Sequence, residues 1–284
     1  MTKTKVDIDN EIQWCPGCGN FSILKSMENA FTALGLEPKD LLIVSGIGQA
    51  GKTPNYMECN MLHGLHGRAL PLATGAKIAN SDLNIIVNTG DGDCYGEGGN
   101  HFLAAIRRNI DITVLIHNNR VYGLTKGQAS PTAAFGMKTK HQNRGTISSS
   151  FNPAATALVM GAGFIAQGFS GNMKQLEYLI VEAINFKGFS MVDIHQPCVS
   201  FNKINTHSWY KSRVFDLNDT DHDYSNYENA LQTVHNKNHK IPLGIIYKKP
   251  GVPFHERLDV LKKQPLLKYK FDGAQLENIL TTAV

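Results

Sequence analysis

Three short apolar runs, LLIVSG at 41–46, LNIIVNTG at 83–90 and ITVLIHNN at 112–119, each end in turn-forming residues. Between them lie stretches suited to helices, 67–79 and 98–108, so the order is strand, helix, strand, helix, strand. Two further strand candidates, 163–168 and 189–195, flank a helical pattern over 172–185, and an amphipathic helix over 20–36 carries Phe21, Leu24, Met27, Phe31 and Leu34 behind an N-cap at Asn20. Such alternation predicts an α/β fold: a doubly wound parallel sheet with helices on both faces, its ligand-carrying strand ends gathered along one edge. The rhythm stops after Gln196. Residues 1–200 therefore read as one α/β domain and 201–284 as a C-terminal tail or lid packing on the domain or on a partner.

Apolar residues at 42% and charged residues at 18% exclude a disordered or fibrous chain. The net charge of +4 is spread along the sequence, and no basic patch interleaved with aromatics points to nucleic acid. The opening MTKTKVDIDNEIQW is polar, and no run approaches membrane-spanning length. A cytoplasmic location follows as the expectation, with five cysteines reading as ligands, reactive groups or core filler before disulfides.

Function belongs where the strands stop. One ends in Gly90-Asp91-Gly92-Asp93 and the next in Asn118-Asn119, both on the same edge. Magnesium takes six oxygens, one or two usually from carboxylates and the rest from amides, carbonyls, water or phosphate. Asp91, Asn119 and a nearby carbonyl fit that need. Glycines around Asp91 would let the backbone approach a diphosphate. The same residues equally make ordinary turns, so on their own they serve either purpose.

The surrounding words narrow the choice. WCPGCGN at 14–20, SGIG at 45–48, LHGRA at 65–69, GDGD at 90–93, RRN at 107–109, NNRVYGLTKGQASPT at 118–132 and QPC at 196–198 together resemble the β subunit of 2-oxoacid:ferredoxin oxidoreductases. The match runs through 12–202, IPLGIIY at 241–247 resembles the family's C-terminal segment, and LHGRALPLATG with GDGDCYGEGGNH looks most like the 2-oxoglutarate-type members. The resemblance implies a thiamine-diphosphate-binding fold of the diphosphate side. It implies that Asp91, the side chain of Asn119 and the carbonyl of Val121 hold Mg2+, and that Gly90, Gly92 and Asp93 line the diphosphate. Gly48, His66, Gly67, Leu124 and Thr125 correspond to further cofactor contacts. Lys126 and Lys52 correspond to positions near an anionic 2-oxoacid, with His66 beside them as a third catalytic candidate.

In the family, two cysteines of WCPGCG, one in the loop after SGIG and the cysteine of QPC hold a [4Fe-4S] cluster. Here Cys15, Cys18 and Cys198 match, whereas Gln49 stands where the cysteine of the loop after SGIG is expected. Cys59 is the candidate replacement, and Cys94 reads as packing at a helix start. A [4Fe-4S] cluster with another fourth ligand, a [3Fe-4S] cluster and a lost cluster all remain open, as does a zinc or dithiol role for the CxxC. The resemblance further implies that a 2-oxoacid is decarboxylated, that single electrons leave through the iron–sulfur cluster to ferredoxin, and that coenzyme A takes the acyl group. Only one cofactor-binding unit is present, so an α subunit, or separate α and γ chains, must complete the site. The rival readings are a non-oxidative decarboxylase or degenerate paralogue, and a non-catalytic docking subunit.

Overall fold

The computed structural model of the chain describes residues 11–235, 240–270, 273–274 and 281–282. The apolar runs become β1 (Leu41–Ser45), β3 (Asn84–Gly90) and β4 (Thr113–Asn118), with β2 (Asn60–His63) between the first two in sequence. Successive side chains of a strand face opposite sides, so a strand covered on both faces needs no polar alternation. Ile43, Ile86 and Leu115 enter one core with α1 (Gly19–Ala33) and α5 (Met173–Asn185). Their neighbours Val44, Val87 and Val114 enter the other with α2 (Ala69–Ala79), α3 (Gly99–Arg108) and α4 (Pro153–Val159). The doubly wound expectation holds.

The main sheet has eight strands in the order β2-β1-β3-β4-β8-β7-β10-β9, where β7 is Phe164–Phe169, β8 Ser190–His195, β9 Val214–Asp216 and β10 Ile241–Lys248. A small hairpin, β5 (Val121–Tyr122) and β6 (Gln128–Ala129), projects beyond the tip of β4. The parallel registers Gly90 with His117 and Asn118 with His195 line up the carboxyl ends of β3, β4 and β8. Asn172 caps α5, its side chain accepting the N–H of Gln175.

Two differences from the sequence reading have physical causes. The stretch expected as a tail carries β9 and β10, and β10 pairs antiparallel with β7, so the sheet continues across residue 200. Its buried run over 242–247 is covered on both faces, Ile245 entering the core with α1 and α5 and Ile246 the opposite core. The N-cap expected at Asn20 falls on Cys18, which makes no side-chain cap bond. Asn20 lies instead inside the first turn of α1, 1% exposed, with its side-chain amide 2.8 Å from Nδ1 of His117. No helix among the described residues is long and apolar enough to cross a membrane.

Candidate active site

Asp91 follows the last residue of β3, Asn119 follows the last residue of β4, and the two line one cavity at the carboxyl edge. The Asp91 carboxylate is 1% exposed. Its Oδ2 accepts from Ser130 Oγ and Thr132 Oγ1, both at 2.5 Å, and from the Arg120 N–H at 3.2 Å; Oδ1 receives none of these three. Burial raises its pKa, while the two hydroxyls and the N–H groups of Gly92 and Asn119 pull the other way. A carboxylate held in a dry, donor-lined site with its charge uncompensated suits a divalent cation. Sequence reading did not single out Ser130 and Thr132. They reach Asp91 because the β5–β6 hairpin turns back through Lys126 and Gly127, whose φ angles are 81° and 104°. Their only signal was the motif ending ASPT.

Asn119 Oδ1 accepts the N–H of Val121 at 2.9 Å, so the two residues expected to share the cation already share a turn. Gly90 has open space where a Cβ would stand, its nearest neighbour being His117 O at 4.0 Å, which leaves a cradle for a close ligand. Gly92 has a different reason. A Cβ there would meet the Tyr122 ring at 2.5 Å.

Asp93 lines the cavity, but its carboxylate mainly ties loops together. Oδ1 lies 2.6 Å from His66 Nδ1 and accepts the N–H groups of Gly67 at 2.7 Å and Ile47 at 3.2 Å, while Oδ2 accepts Thr89 Oγ1 at 2.7 Å. Gly67, at φ +69°, could not carry a Cβ, which would lie 2.4 Å from the Glu97 carbonyl carbon. His66, Gly48, Leu124 and Thr125 all line the cavity. Lys52 and Lys126 do not line it. Lys52 Nζ reaches Gln13 O at 3.5 Å, and Lys126 stands exposed near the hairpin tip, so both sit on segments bordering the cavity rather than inside it.

The deep end is lined by neutral polar groups: Asn20, Gln49, His117 and Gln196. Burial lowers His117 to about 3, so its imidazole is neutral and has one N–H. Asn88 donates Nδ2 to Ala50 O at 3.2 Å, which turns its Oδ1 to His117 Nε2 and makes that nitrogen the donor. His117 Nδ1 is then an acceptor. Asn20 satisfies it by presenting its amide nitrogen, which turns the amide oxygen away. Gln49 Oε1 and Gln196 Oε1 are buried without protein partners, as befits a site shaped for a polar ligand.

Cys15, Cys18 and Cys198 come together beyond that end. Burial first, then the neighbouring Cys198 and Cys15, raise the Cys18 thiol above its ordinary value. Trp14 Nε1 donates to Gln49 O at 2.9 Å and fastens the CxxC segment to the loop after β1. Among the described residues no three His, Cys, Asp or Glu side chains are already gathered as a metal-ligand set, so the sulfurs are neighbours rather than a finished cage. Cys59 is not brought to them. It adjoins Asn60, which is in register with Leu42, at the opposite end of β1 from Gln49 and roughly 15 Å away along the strand. Burial pushes that thiol up to about 11 and it packs against the core, which corrects its candidacy as fourth ligand. Cys94 is buried in the other core.

Residues 46–194 match the model of the thiamine pyrophosphate enzyme C-terminal TPP binding domain, and 198–263 match that of the C terminal of the pyruvate ferredoxin oxidoreductase beta subunit. The chain is 44% identical over 256 residues to a 2-oxoacid:ferredoxin oxidoreductase subunit beta from a Sulfolobus species, covering 86% of this chain and 84% of that one. It is 42% identical over 194 residues to the 2-oxoglutarate oxidoreductase subunit KorB of Mycobacterium tuberculosis, covering 68% of this chain and 52% of that one. A solved structure of 2-oxoglutarate:ferredoxin oxidoreductase from Magnetococcus marinus, with 2-oxoglutarate, coenzyme A and succinyl-CoA bound, superposes with a TM-score of 0.90 at 33% identity over 96% of this chain and 94% of that one. With a thiamine-diphosphate-binding domain, and with two aligned strand tips that converge on one cavity, the chain belongs to the β subunits of the 2-oxoacid:ferredoxin oxidoreductases.

Proposed function

We propose that this β subunit holds thiamine diphosphate through Mg2+ bound by Asp91, the side chain of Asn119 and the carbonyl of Val121. With its α subunit, or with separate α and γ chains, it would oxidatively decarboxylate a 2-oxoacid to the acyl-CoA and CO2 and pass electrons through an iron–sulfur cluster to ferredoxin. The observation that carries this is the buried Asp91 carboxylate beside Asn119 in one cavity, with three donors converging on its Oδ2. Bound cofactor and cluster would supply, respectively, the carbon nucleophile for decarboxylation and a one-electron exit.

The chain's own residues do the rest. The open cradle at Gly90 admits the diphosphate, and His66, oriented by its bond to Asp93, offers Nε2 for a proton. Lys52 and Lys126, on segments bordering the cavity, attract the anionic 2-oxoacid and coenzyme A. Cys15, Cys18 and Cys198 supply thiolates for the cluster, and the partnerless Gln49 oxygen fits a polar group at the cavity's deep end. The names of the M. tuberculosis and Magnetococcus proteins favour 2-oxoglutarate as substrate.

Calorimetric titration of thiamine diphosphate with and without Mg2+ tests the cofactor site. Asp91→Ala should abolish the Mg2+-dependent binding; retained binding would sink the assignment. Turnover by the purified chain without a partner should be slight, and full activity alone would refute a shared site. The second reading, a non-oxidative decarboxylase, is favoured by Gln49. Iron and sulfide analysis of anaerobically prepared protein separates the two.

A further inference from the structure

Each of the three neighbouring thiols receives a hydrogen bond, and all three donors lie within 196–201. Gln196 Nε2 donates to Cys18 Sγ at 3.3 Å, Ser200 Oγ to Cys15 Sγ at 3.0 Å, and the Phe201 N–H to Cys198 Sγ at 3.4 Å. The segment is fastened to the tip that presents Asn119. Asn118 O accepts the N–H of Gln196 at 2.9 Å, and Asn119 O accepts Asn202 Nδ2 at 3.1 Å. Gly19 leaves room for the reach, since a Cβ there would meet Gln196 Cγ at 2.6 Å. Gln196 itself is 2% exposed.

We propose that 196–201 is a donor strap directed at sulfur, in which Gln196 and Ser200 are positioning residues that raise the reduction potential of the cluster. The assignment rests on the cluster reading given under Proposed function. A hydrogen bond to a ligating sulfur favours the more negative, reduced state, and such bonds are among the main protein controls on cluster potential. The donors differ in kind, a carboxamide, a hydroxyl and a backbone N–H, and two of them can be removed singly with little change of shape.

The test uses the full chain in complex with its partner, reconstituted anaerobically, with iron and sulfide counted and the midpoint read by potentiometric electron paramagnetic resonance. Gln196→Met and Ser200→Ala should each keep iron and shift the midpoint to lower potential. The double variant should shift further, and Ser200→Thr should return to the parent value. Should Gln196→Met lose iron, Ser200→Ala on its exposed side decides. Midpoints equal to the parent's with iron intact overturn the strap while leaving the cluster standing. A parent chain that takes up no iron or sulfide overturns the cluster reading, and the strap with it.

Discussion

The Thr132 hydroxyl lies 2.5 Å from Oδ2 of Asp91 and 2.8 Å from Oδ1 of Asn118, so it links the proposed cation ligand to the tip of the adjacent strand. A hydroxyl that fixes a ligating carboxylate typically matters by about 10- to 100-fold in metal affinity. Thr132→Val keeps the shape and removes the donor. It should weaken Mg2+-dependent thiamine diphosphate binding by about that factor in calorimetry, with Ser130→Ala behaving alike. Unchanged affinity in both would show that the hydroxyls do not orient Asp91.

Asp93 is a stability prediction rather than a catalytic one. Asp93→Ala would strand the N–H groups of Gly67 and Ile47 and the Thr89 hydroxyl, all of which now reach its carboxylate. Unsatisfied buried donors cost about 1–3 kcal/mol each, with partial relief where water enters, so a loss of about 3 kcal/mol is expected in denaturant unfolding. Asp93→Asn, which keeps an acceptor, should lose less. A loss under about 1 kcal/mol for Ala would mean the loops do not depend on this tie.

These two residues show where sequence reading succeeds and stops. Asp91 and Asn119 were legible because each follows an apolar strand, and strand ends are set locally by turn residues. Ser130 and Thr132 were not, since their position depends on a hairpin turning back through a left-handed Lys126. Asp93 reads as a phosphate contact in sequence because adjacency in GDGD says nothing about which loops its oxygens will meet. The central strands were legible from period and composition. The pairing of β10 with β7 was not, because an apolar run carries no record of its neighbour. Cys59 failed as a ligand for the same reason: the sequence counts ten residues from Gln49, but the parallel register puts the length of β1 between them.

Gln49 gives a prediction about metal content. Three thiolates leave one corner of a four-iron cluster without the usual soft ligand, and an amide oxygen is a poor substitute. Anaerobically reconstituted parent should lose iron to a chelator faster than Gln49→Cys, which restores a fourth thiol. Iron per chain after chelation is the readout, and equal loss from both would show that this corner does not govern retention.

Asp193 adds its own pH dependence to the stability of the cation-free chain. Buried beneath the β4 tip, it accepts Asn118 Nδ2 at 3.1 Å and the Tyr95 hydroxyl at 3.3 Å. Burial first, with the nearby Asp91 charge adding to it, raises its carboxyl from 3.8 to about 7. Between those two values the native chain keeps the proton and the unfolded chain has released it. Unfolding then liberates a proton from this group, so the Asp193 contribution to stability falls as pH rises through that window, by at most about 1.4 kcal/mol per pH unit, and levels off above it, while the buried neutral imidazoles of His117 and His195 act in the opposite sense. Asp193→Asn removes the titrating group while keeping an acceptor for Asn118 and Tyr95. Urea unfolding of parent and variant at about pH 5 and about pH 7 isolates the effect, because the other ionisable groups are common to both. On going from the lower to the higher pH, the stability of the parent should decline relative to that of Asp193→Asn. Parallel behaviour would mean that the Asp193 carboxyl is already ionised throughout the range, and that the charge beneath the strand tip is compensated before any cation arrives.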